Sequence, residues 1–176
     1  MRTLGGILLL GLSVALLACQ PGPRAASEAA GAAAQVMQFE LASLDGRRLR
    51  PTDLAEELVL IDFWATWCAP CHLQADILAK LYPELRARGV EFLAISLGEP
   101  EALVREFVAK RPFAYPVLVD PKDQVATEYG IFVLPTVVLL DREGTIMYQH
   151  EGISTAERLM SAVDEILENR RPAGRL

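Results

Sequence analysis

The chain has 176 residues, of which 52% are hydrophobic and 23% are charged, and its formal net charge at pH 7 is -6. This length is typical of one globular domain. The acidic balance argues against a protein that binds nucleic acid, because phosphate contacts need an excess of Lys and Arg.

The first eighteen residues have the organisation of an export signal. A positively charged residue, Arg2, is followed by an apolar stretch, and the small residue Ala18 precedes Cys19. The apolar run at 4–18 has 15 residues, fewer than the roughly 20 that a membrane-spanning helix needs. We therefore expect residues 1–18 to be a signal peptide that is removed from the mature protein.

The sequence Leu16-Leu17-Ala18-Cys19 resembles the lipobox of bacterial lipoproteins. In that family the cysteine sulfur receives diacylglycerol, the leader is cut before the cysteine, and the new amine is acylated. The resemblance implies that Cys19 is lipidated and that the protein is exported and membrane-anchored, on the periplasmic face in a Gram-negative cell. Several acyl chains would give a stable anchor. The alternative is an ordinary secreted protein with an unpaired cysteine.

Composition divides the mature chain into three parts. Residues 19–35 are mainly Ala, Gly, Pro and Ser, so we expect a lipidated, flexible tether there. Residues 36–170 contain the patterned apolar residues of a folded domain, and residues 171–176 are expected to form a loose tail. The lipid would then hold the domain near a membrane without a protein segment crossing it.

The domain opens with the pattern of a short β-hairpin around the turn Asp45-Gly46. The segment Leu58–Trp64 (LVLIDFW) is nearly all apolar, as expected for a central strand covered on both faces. A helix is then predicted from Pro70, whose fixed backbone suits the first turn, to about Arg88. Pro83 lies inside this helix and should kink it.

Strands and helices continue to alternate through the rest of the domain. A strand is predicted at Val90–Ser96, and strand, helix and strand in this order imply a right-handed connection between parallel strands. The fold class is therefore α/β. Further helices are predicted at 100–110, 122–129 and 156–169, and further strands at 115–119, 136–141 and 145–151.

Cys68 and Cys71 form a CxxC pair directly after a predicted strand and on the first turn of a predicted helix. Unpaired N–H groups and the positive end of the helix dipole favour a thiolate at this position. Cys68 is therefore expected to attack a disulfide bond, and Cys71, one helical turn later, to resolve the mixed disulfide.

The alternative for a CxxC pair is half of a structural zinc site, which needs two further ligands at suitable spacing. Cys19 is assigned to the lipid, His72 follows the pair directly on the helix, and His150 stands alone in a late strand. The ligand set is incomplete, so redox chemistry is the better interpretation.

Asp62 is the only charged residue in the apolar strand Leu58–Trp64. Burying a carboxylate is costly unless it is protonated or has a partner. A solvent-exposed strand position fits this pattern poorly, and ionisable groups with perturbed environments concentrate at functional sites. The sequence therefore predicts a buried carboxyl group with a functional role.

Four motifs of the domain can be taken together: Asp62–Cys71 (DFWATWCAPC), Tyr129–Ile131, Leu134–Thr136 and Asp141–Gly144. With them the chain resembles the thioredoxin superfamily, and specifically its TlpA-like extracytoplasmic branch, over roughly Gln38–Leu167. The resemblance implies a thioredoxin fold, a central mixed sheet flanked by helices with an N-terminal β-hairpin. The helix and strand between Pro100 and Val119 resemble the central insertion of that branch.

The resemblance also implies roles for individual residues. Asp62, six residues before Cys68, would exchange the proton of Cys71 beneath the pair. The proline at the start of the predicted strand 136–141 would be cis, whereas a trans proline is the alternative at such a position. Substrate would bind beside the exposed sulfur and along the backbone before that proline, at Trp67, Pro70, Leu134 and Pro135.

Two residues depart from the family pattern. Cytochrome-maturation members often have an acidic residue three positions after the second cysteine, where this chain has Gln74. That departure puts this specialised role in doubt. Many relatives have a proline where Asp76 stands, so the bend of the helix is expected at Pro83 instead.

The sequence thus predicts a membrane-tethered thiol-disulfide oxidoreductase that needs no metal or organic cofactor beyond the Cys68–Cys71 disulfide. The resemblance implies a monomeric reductase of extracytoplasmic protein disulfides, which would receive electrons from a membrane donor. The alternatives are a disulfide oxidase or isomerase with the same site, and a binding protein that uses the groove without exchange. A peroxiredoxin is a further alternative, although its reactive cysteine lacks this tryptophan-flanked CxxC.

Overall fold

The computed structural model describes residues 35–54 and 56–170. The predicted signal peptide, the predicted tail and almost all of the predicted tether, including Cys19, lie outside these described residues. Within the described ranges, no helix combines the length and the apolar composition that crossing a membrane requires.

Across the described residues, seven strands form one mixed sheet. They are β1 (Leu41–Ser43), β2 (Arg48–Leu49), β3 (Leu58–Trp64), β4 (Val90–Leu97), β5 (Val117–Asp120), β6 (Thr136–Asp141) and β7 (Ile146–Glu151). Their order across the sheet is β2-β1-β5-β4-β3-β6-β7. β3 lies inside the sheet, parallel to β4 and antiparallel to β6. β1 and β2 pair antiparallel as the predicted hairpin.

The same part of the chain forms four α-helices, α1 (Ala69–Ala87), α2 (Glu101–Lys110), α3 (Gln124–Tyr129) and α4 (Ala156–Arg170). α1 connects β3 to the parallel strand β4, and α2 with β5 forms the predicted insertion. α1 continues through Pro83 to Ala87. The α/β architecture that the sequence predicts is therefore confirmed.

Two elements, β5 and α3, begin two residues later than predicted, and polar backbone chemistry explains both. β5 begins at Val117 rather than Tyr115, since Pro116 has no N–H to donate to a neighbouring strand. α3 begins at Gln124 because the Asp120 carboxylate accepts the first two N–H groups of the helix, each at 2.9 Å. The residues before it form a turn.

Side chains of β3 alternate between two hydrophobic cores, because successive residues of a strand face opposite sides of the sheet. Leu60 and Trp64 belong to the core that α1, α2 and α4 cover, whereas Ile61 and Phe63 belong to the core on the α3 side. All seven residues of β3 are buried. Asp62 shares its face with Leu60 and Trp64, so its carboxyl group points into the layer that contains α1.

α1 presents one face to the sheet. Its buried residues recur at intervals of three and four, which is the spacing of a single helical face: Cys71, Gln74, Leu78, Leu81 and Leu85. The second cysteine of the CxxC pair is therefore the first member of a core-facing row. The sheet and the helix together position it above the apolar interior.

Candidate active site

Cys68 and Cys71 are joined by a disulfide bond at the start of α1. Cys68 is the N-cap residue of the helix, and its Sγ accepts the N–H of Cys71 at 3.2 Å. The chain reaches this point directly from the carboxyl end of β3, the edge of an α/β sheet where functional sites commonly lie. The predicted placement of the pair after a strand and on the first helical turn is confirmed.

The disulfide lies just below an exposed rim. Trp67 is 73% exposed, and Pro70 is also exposed. Cys68 retains 4% of its surface and Cys71 only 1%. Of the two cysteines, Cys68 is therefore slightly more accessible to solvent.

Asp62 is completely buried, and neither carboxyl oxygen has a hydrogen-bond partner among the described residues. Burial disfavours the charged form and raises the pKa of Asp62 to about 8. Its carboxyl group faces the helix layer on whose buried row Cys71 lies. The predicted burial is confirmed. The pKa of the carboxyl group is therefore close to the pKa of about 8.5 that is usual for a thiol.

Gln74 lies on the buried face of α1, one turn after Cys71. Its Oε1 accepts the N–H of Ser154 at 2.6 Å, which ties α1 to the loop before α4. Its Nε2 has no hydrogen-bond partner within the described chain. A neutral amide therefore occupies the position at which the family resemblance associates an acidic side chain with cytochrome maturation.

The Leu134–Pro135 peptide bond is cis, as the resemblance implies. Thr136, the next residue, pairs with Phe63 near the carboxyl end of β3. The loop that carries this peptide bond therefore lies at the same edge of the sheet as Cys68. Leu134 is half-buried and packs against the core cluster that includes both cysteines.

A surface groove of about 530 Å³ adjoins this edge. It is lined by Trp67 and Leu134 together with Phe132, Gly98 and Asp123. Phe132 is 77% exposed, and a Cβ atom at Gly98 would stand only 2.9 Å from an Asp123 carboxyl oxygen. The sequence predicted Trp67 and Leu134 for this surface but missed Phe132, Gly98 and Asp123, whose exposure no local pattern reveals.

The two histidines make separate local contacts. His72 Nε2 lies 3.0 Å from the carbonyl oxygen of Thr66, which can only accept, so the ring nitrogen donates. His150 stacks on Tyr148 with ring centroids 6.4 Å apart. Within the described residues, no group of three or more His, Cys, Asp or Glu side chains is arranged to hold a metal ion.

A mixed sheet with a cysteine pair at the start of α1 and a cis-proline loop at the same edge defines a thioredoxin-fold protein of thiol-disulfide exchange. Residues 32–149 match the AhpC/TSA family. The chain belongs to this family of the thioredoxin superfamily.

Its curated relatives have the activity that the sequence predicts. The thiol-disulfide oxidoreductase ResA of Geobacillus thermodenitrificans is 36% identical over 128 residues, which cover 73% of this chain and 74% of the relative. ResA of Halalkalibacterium halodurans is 34% identical over 143 residues, 81% of this chain and 79% of the relative. The protein is therefore a thiol-disulfide oxidoreductase.

Solved structures share the fold. A Chlorobium tepidum protein provisionally assigned as thiol:disulfide interchange protein DsbE is 28% identical with a TM-score of 0.69, covering 76% of this chain and 96% of that chain. StoA of Bacillus subtilis has a TM-score of 0.63 over 74% of this chain and 99% of its own, and its 23% identity supports the fold alone. The predicted thioredoxin fold is confirmed.

Proposed function

We propose that the protein reduces disulfide bonds of extracytoplasmic partner proteins while a lipid on Cys19 anchors it to a membrane. The observation that carries the proposal is the Cys68–Cys71 disulfide at the start of α1, directly below an exposed rim. The bonded pair is the oxidised product of such a reaction. The dithiol form is the reductant, and two electrons pass to the partner in each cycle.

The reaction begins at Cys68. Its thiolate attacks one sulfur of the partner's disulfide, and the other sulfur leaves as a thiolate that takes up a proton. Cys71 then attacks Cys68 in the mixed disulfide, which restores the Cys68–Cys71 bond and releases the partner as a dithiol. The assignment is supported by the Cys71 N–H that Cys68 Sγ accepts at 3.2 Å, because the same donor would stabilise a thiolate.

Asp62 supplies the proton exchange that this second step requires. Cys71 must lose its proton before it attacks, and the ionised Asp62 carboxylate can accept it. When the pair is reduced again, the protonated carboxyl group can return the proton to Cys71. The raised pKa of about 8 supports this role, because both forms of the carboxyl group are then accessible near neutral pH.

The partner binds as an extended segment along the groove beside the disulfide. Trp67 and Phe132 offer large exposed rings for apolar side chains. The half-buried backbone at Leu134, before Pro135, offers hydrogen-bonding groups to the partner's main chain, and Pro70 completes the surface over the sulfur. Affinity from backbone and ring contacts would allow several unrelated proteins to be substrates.

Export and anchoring are supported by the N-terminal sequence. The lipobox resemblance at Cys19 and the Ala-rich stretch 19–35 would leave the domain on a short tether outside the cytoplasm. In that oxidising compartment, a reductase needs a membrane donor of electrons to regenerate its dithiol. The family resemblance supports this direction, with the protein acting as a monomer.

Two measurements test the function and its direction. The purified protein with dithiothreitol as donor should reduce insulin, and Cys68→Ser should abolish turnover. In cells, rapid acid quenching and thiol alkylation should find the Cys68–Cys71 pair mainly as the dithiol. The opposite result would be a Cys68–Cys71 pair that is mainly a disulfide in cells, in a protein that still reduces insulin when purified. That result would contradict the reductase assignment and favour a disulfide oxidase.

A further inference from the structure

We infer that α2 braces the active-site loop (Ala65–Trp67) through Glu99, just before the helix, and Arg111, just after it, and that this brace sets the reactivity of Cys68. The inference rests on the proposed role of Cys68 as the attacking thiol. Glu99 and Arg111 are positioning residues, because they act through the loop and through α1. No pattern in the sequence points to a role for either residue.

Glu99 is only 4% exposed although it lies in the short connection between β4 and α2. Its carboxylate accepts the Thr66 N–H at 2.8 Å, the Ser96 hydroxyl at 3.0 Å and the Thr66 hydroxyl. A buried carboxylate is strongly unfavourable unless such donors surround it. Glu99 therefore fixes Thr66 by its backbone and its side chain together, from the end of the strand next to β3.

The opposite side of Thr66 is held by the active-site helix. His72 Nε2 donates to the Thr66 carbonyl oxygen at 3.0 Å. Thr66 consequently has its N–H, its hydroxyl and its carbonyl group all engaged, two residues before the attacking cysteine. These hydrogen bonds orient the segment that leads into α1.

Arg111 and Phe107 attach the rest of α2 to the same helix. One guanidinium nitrogen of Arg111 donates to the His72 carbonyl at 2.9 Å and to the Asp76 carboxylate at 2.6 Å. The Phe107 ring packs 5.1 Å from the His72 ring and 5.4 Å from Trp64, the last residue of β3. Glu99 thus contacts the loop before α1, and Arg111 and the α2 residue Phe107 contact the start of α1.

The constraint passes directly to Cys68. The Cys68 N–H donates to the Ala65 carbonyl at 3.1 Å, so the loop fixes the backbone of the N-cap residue. A thiolate at Cys68 gains stability from the Cys71 N–H and the helix dipole only while the sulfur stays aligned with them. A looser loop therefore gives a smaller thiolate fraction and slower reactions of Cys68.

Alkylation of Cys68 by iodoacetamide tests the brace without any partner protein. The full chain is used in detergent with Cys71→Ser in every sample, and mass spectrometry follows the Cys68 peptide from pH 5 to 10. Glu99→Gln replaces an acceptor oxygen with an NH₂ group, and Thr66→Val removes the hydroxyl while leaving every charge in place. Each substitution should raise the midpoint of the pH profile of Cys68 alkylation by about half a pH unit or more. At pH 7, each should slow alkylation about threefold.

Two matched controls separate the brace from general effects of substitution. Glu106→Gln makes the same change at an exposed residue of α2, and Thr52→Val makes the same change at an exposed threonine. Both should keep the parent pH profile. Thermal unfolding is recorded for each variant. If Glu99→Gln does not fold, the pH profile of Thr66→Val alone tests the inference.

The inference is overturned if Glu99→Gln and Thr66→Val follow the profile of the controls. It is also overturned if Glu99→Gln speeds alkylation. The negative charge of Glu99 would then affect the reactivity of Cys68 more than its hydrogen bonds to Thr66 do. Failure of the proposed function is a separate result, because it would show as absent insulin turnover by the unmodified protein. The alkylation profiles do not depend on that turnover.

Discussion

Replacing Asp62 with Asn should flatten the dependence of stability on pH. The pKa of the buried carboxyl group is about 8, against an ordinary value of 3.8. Between these two values the folded protein holds a proton that the unfolded chain releases. The contribution of Asp62 to the free energy of unfolding is therefore fully present below pH 3.8. It falls by about 1.4 kcal/mol per pH unit as the pH rises toward 8.

Over the two units from pH 5 to pH 7, this linkage predicts a loss of about 2–3 kcal/mol in the free energy of unfolding. Asp62→Asn removes the titrating group and keeps its shape. The variant should lack that loss and be at least as stable as the unmodified protein at pH 7, because a neutral amide replaces a carboxyl group that burial destabilises when charged.

Denaturant unfolding of the oxidised protein at pH 5, 6 and 7 measures the effect. Asp164→Asn, at an exposed carboxylate, is the matched control and should follow the unmodified protein. Parallel stability profiles for the Asp62→Asn variant and the unmodified protein would refute the reasoning, since they would show that Asp62 does not titrate between the folded and unfolded states.

The same variant tests the catalytic role of Asp62. Loss of the proton acceptor should slow resolution of the mixed disulfide by about 10–1000 fold near neutral pH, in the range of general acid–base catalysis. Stopped-flow fluorescence of Trp67 or Trp64 can follow this step across pH. An unchanged rate profile in a correctly folded variant would contradict the role.

Three further predictions concern the anchor, the substrate surface and the hydrophobic core. Cys19→Ser should leave the domain folded and release it from membranes, and retention after a high-salt wash with the leader removed would disprove the lipid anchor. Phe132→Ser should lower kcat/KM for a protein disulfide about three- to tenfold without changing iodoacetamide alkylation of Cys68. Equal kcat/KM values for the variant and the unmodified protein would show that the Phe132 ring does not bind substrate. Leu78→Ala should destabilise the fold by about 2–5 kcal/mol, whereas Leu73→Ala, at an exposed position of α1, should cost less than about 0.5 kcal/mol; equal losses in denaturant unfolding would contradict the assigned core face.

The sequence predicted those features of the site that depend on neighbouring residues. The run Leu58–Trp64 is long and apolar, so its one carboxyl group, Asp62, had to be buried wherever the strand lay in the sheet. The CxxC pair follows this run and contains Pro70, which suits a first helical turn. Strand, helix start and cysteine position therefore come from one continuous stretch of sequence.

Features that depend on distant contacts could not be predicted in this way. Glu99 stands between a glycine and a proline and has the local appearance of a solvent-exposed loop residue, yet its partner Thr66 is 33 positions away. Gln74 accepts from Ser154, 80 positions away. Phe132 is exposed in the loop before β6, and no hydrophobic period marks that exposure.

Trapping of mixed disulfides tests the central claim, that Cys68 attacks partner disulfides and Cys71 resolves them. Cys71→Ser keeps the attacking thiol and lacks the resolving one, so it should accumulate covalent complexes with partner proteins that dithiothreitol releases. Cys68→Ser should accumulate none. Complexes that form through Cys71 in the Cys68→Ser protein, with none in Cys71→Ser, would contradict the assignment of the two cysteines.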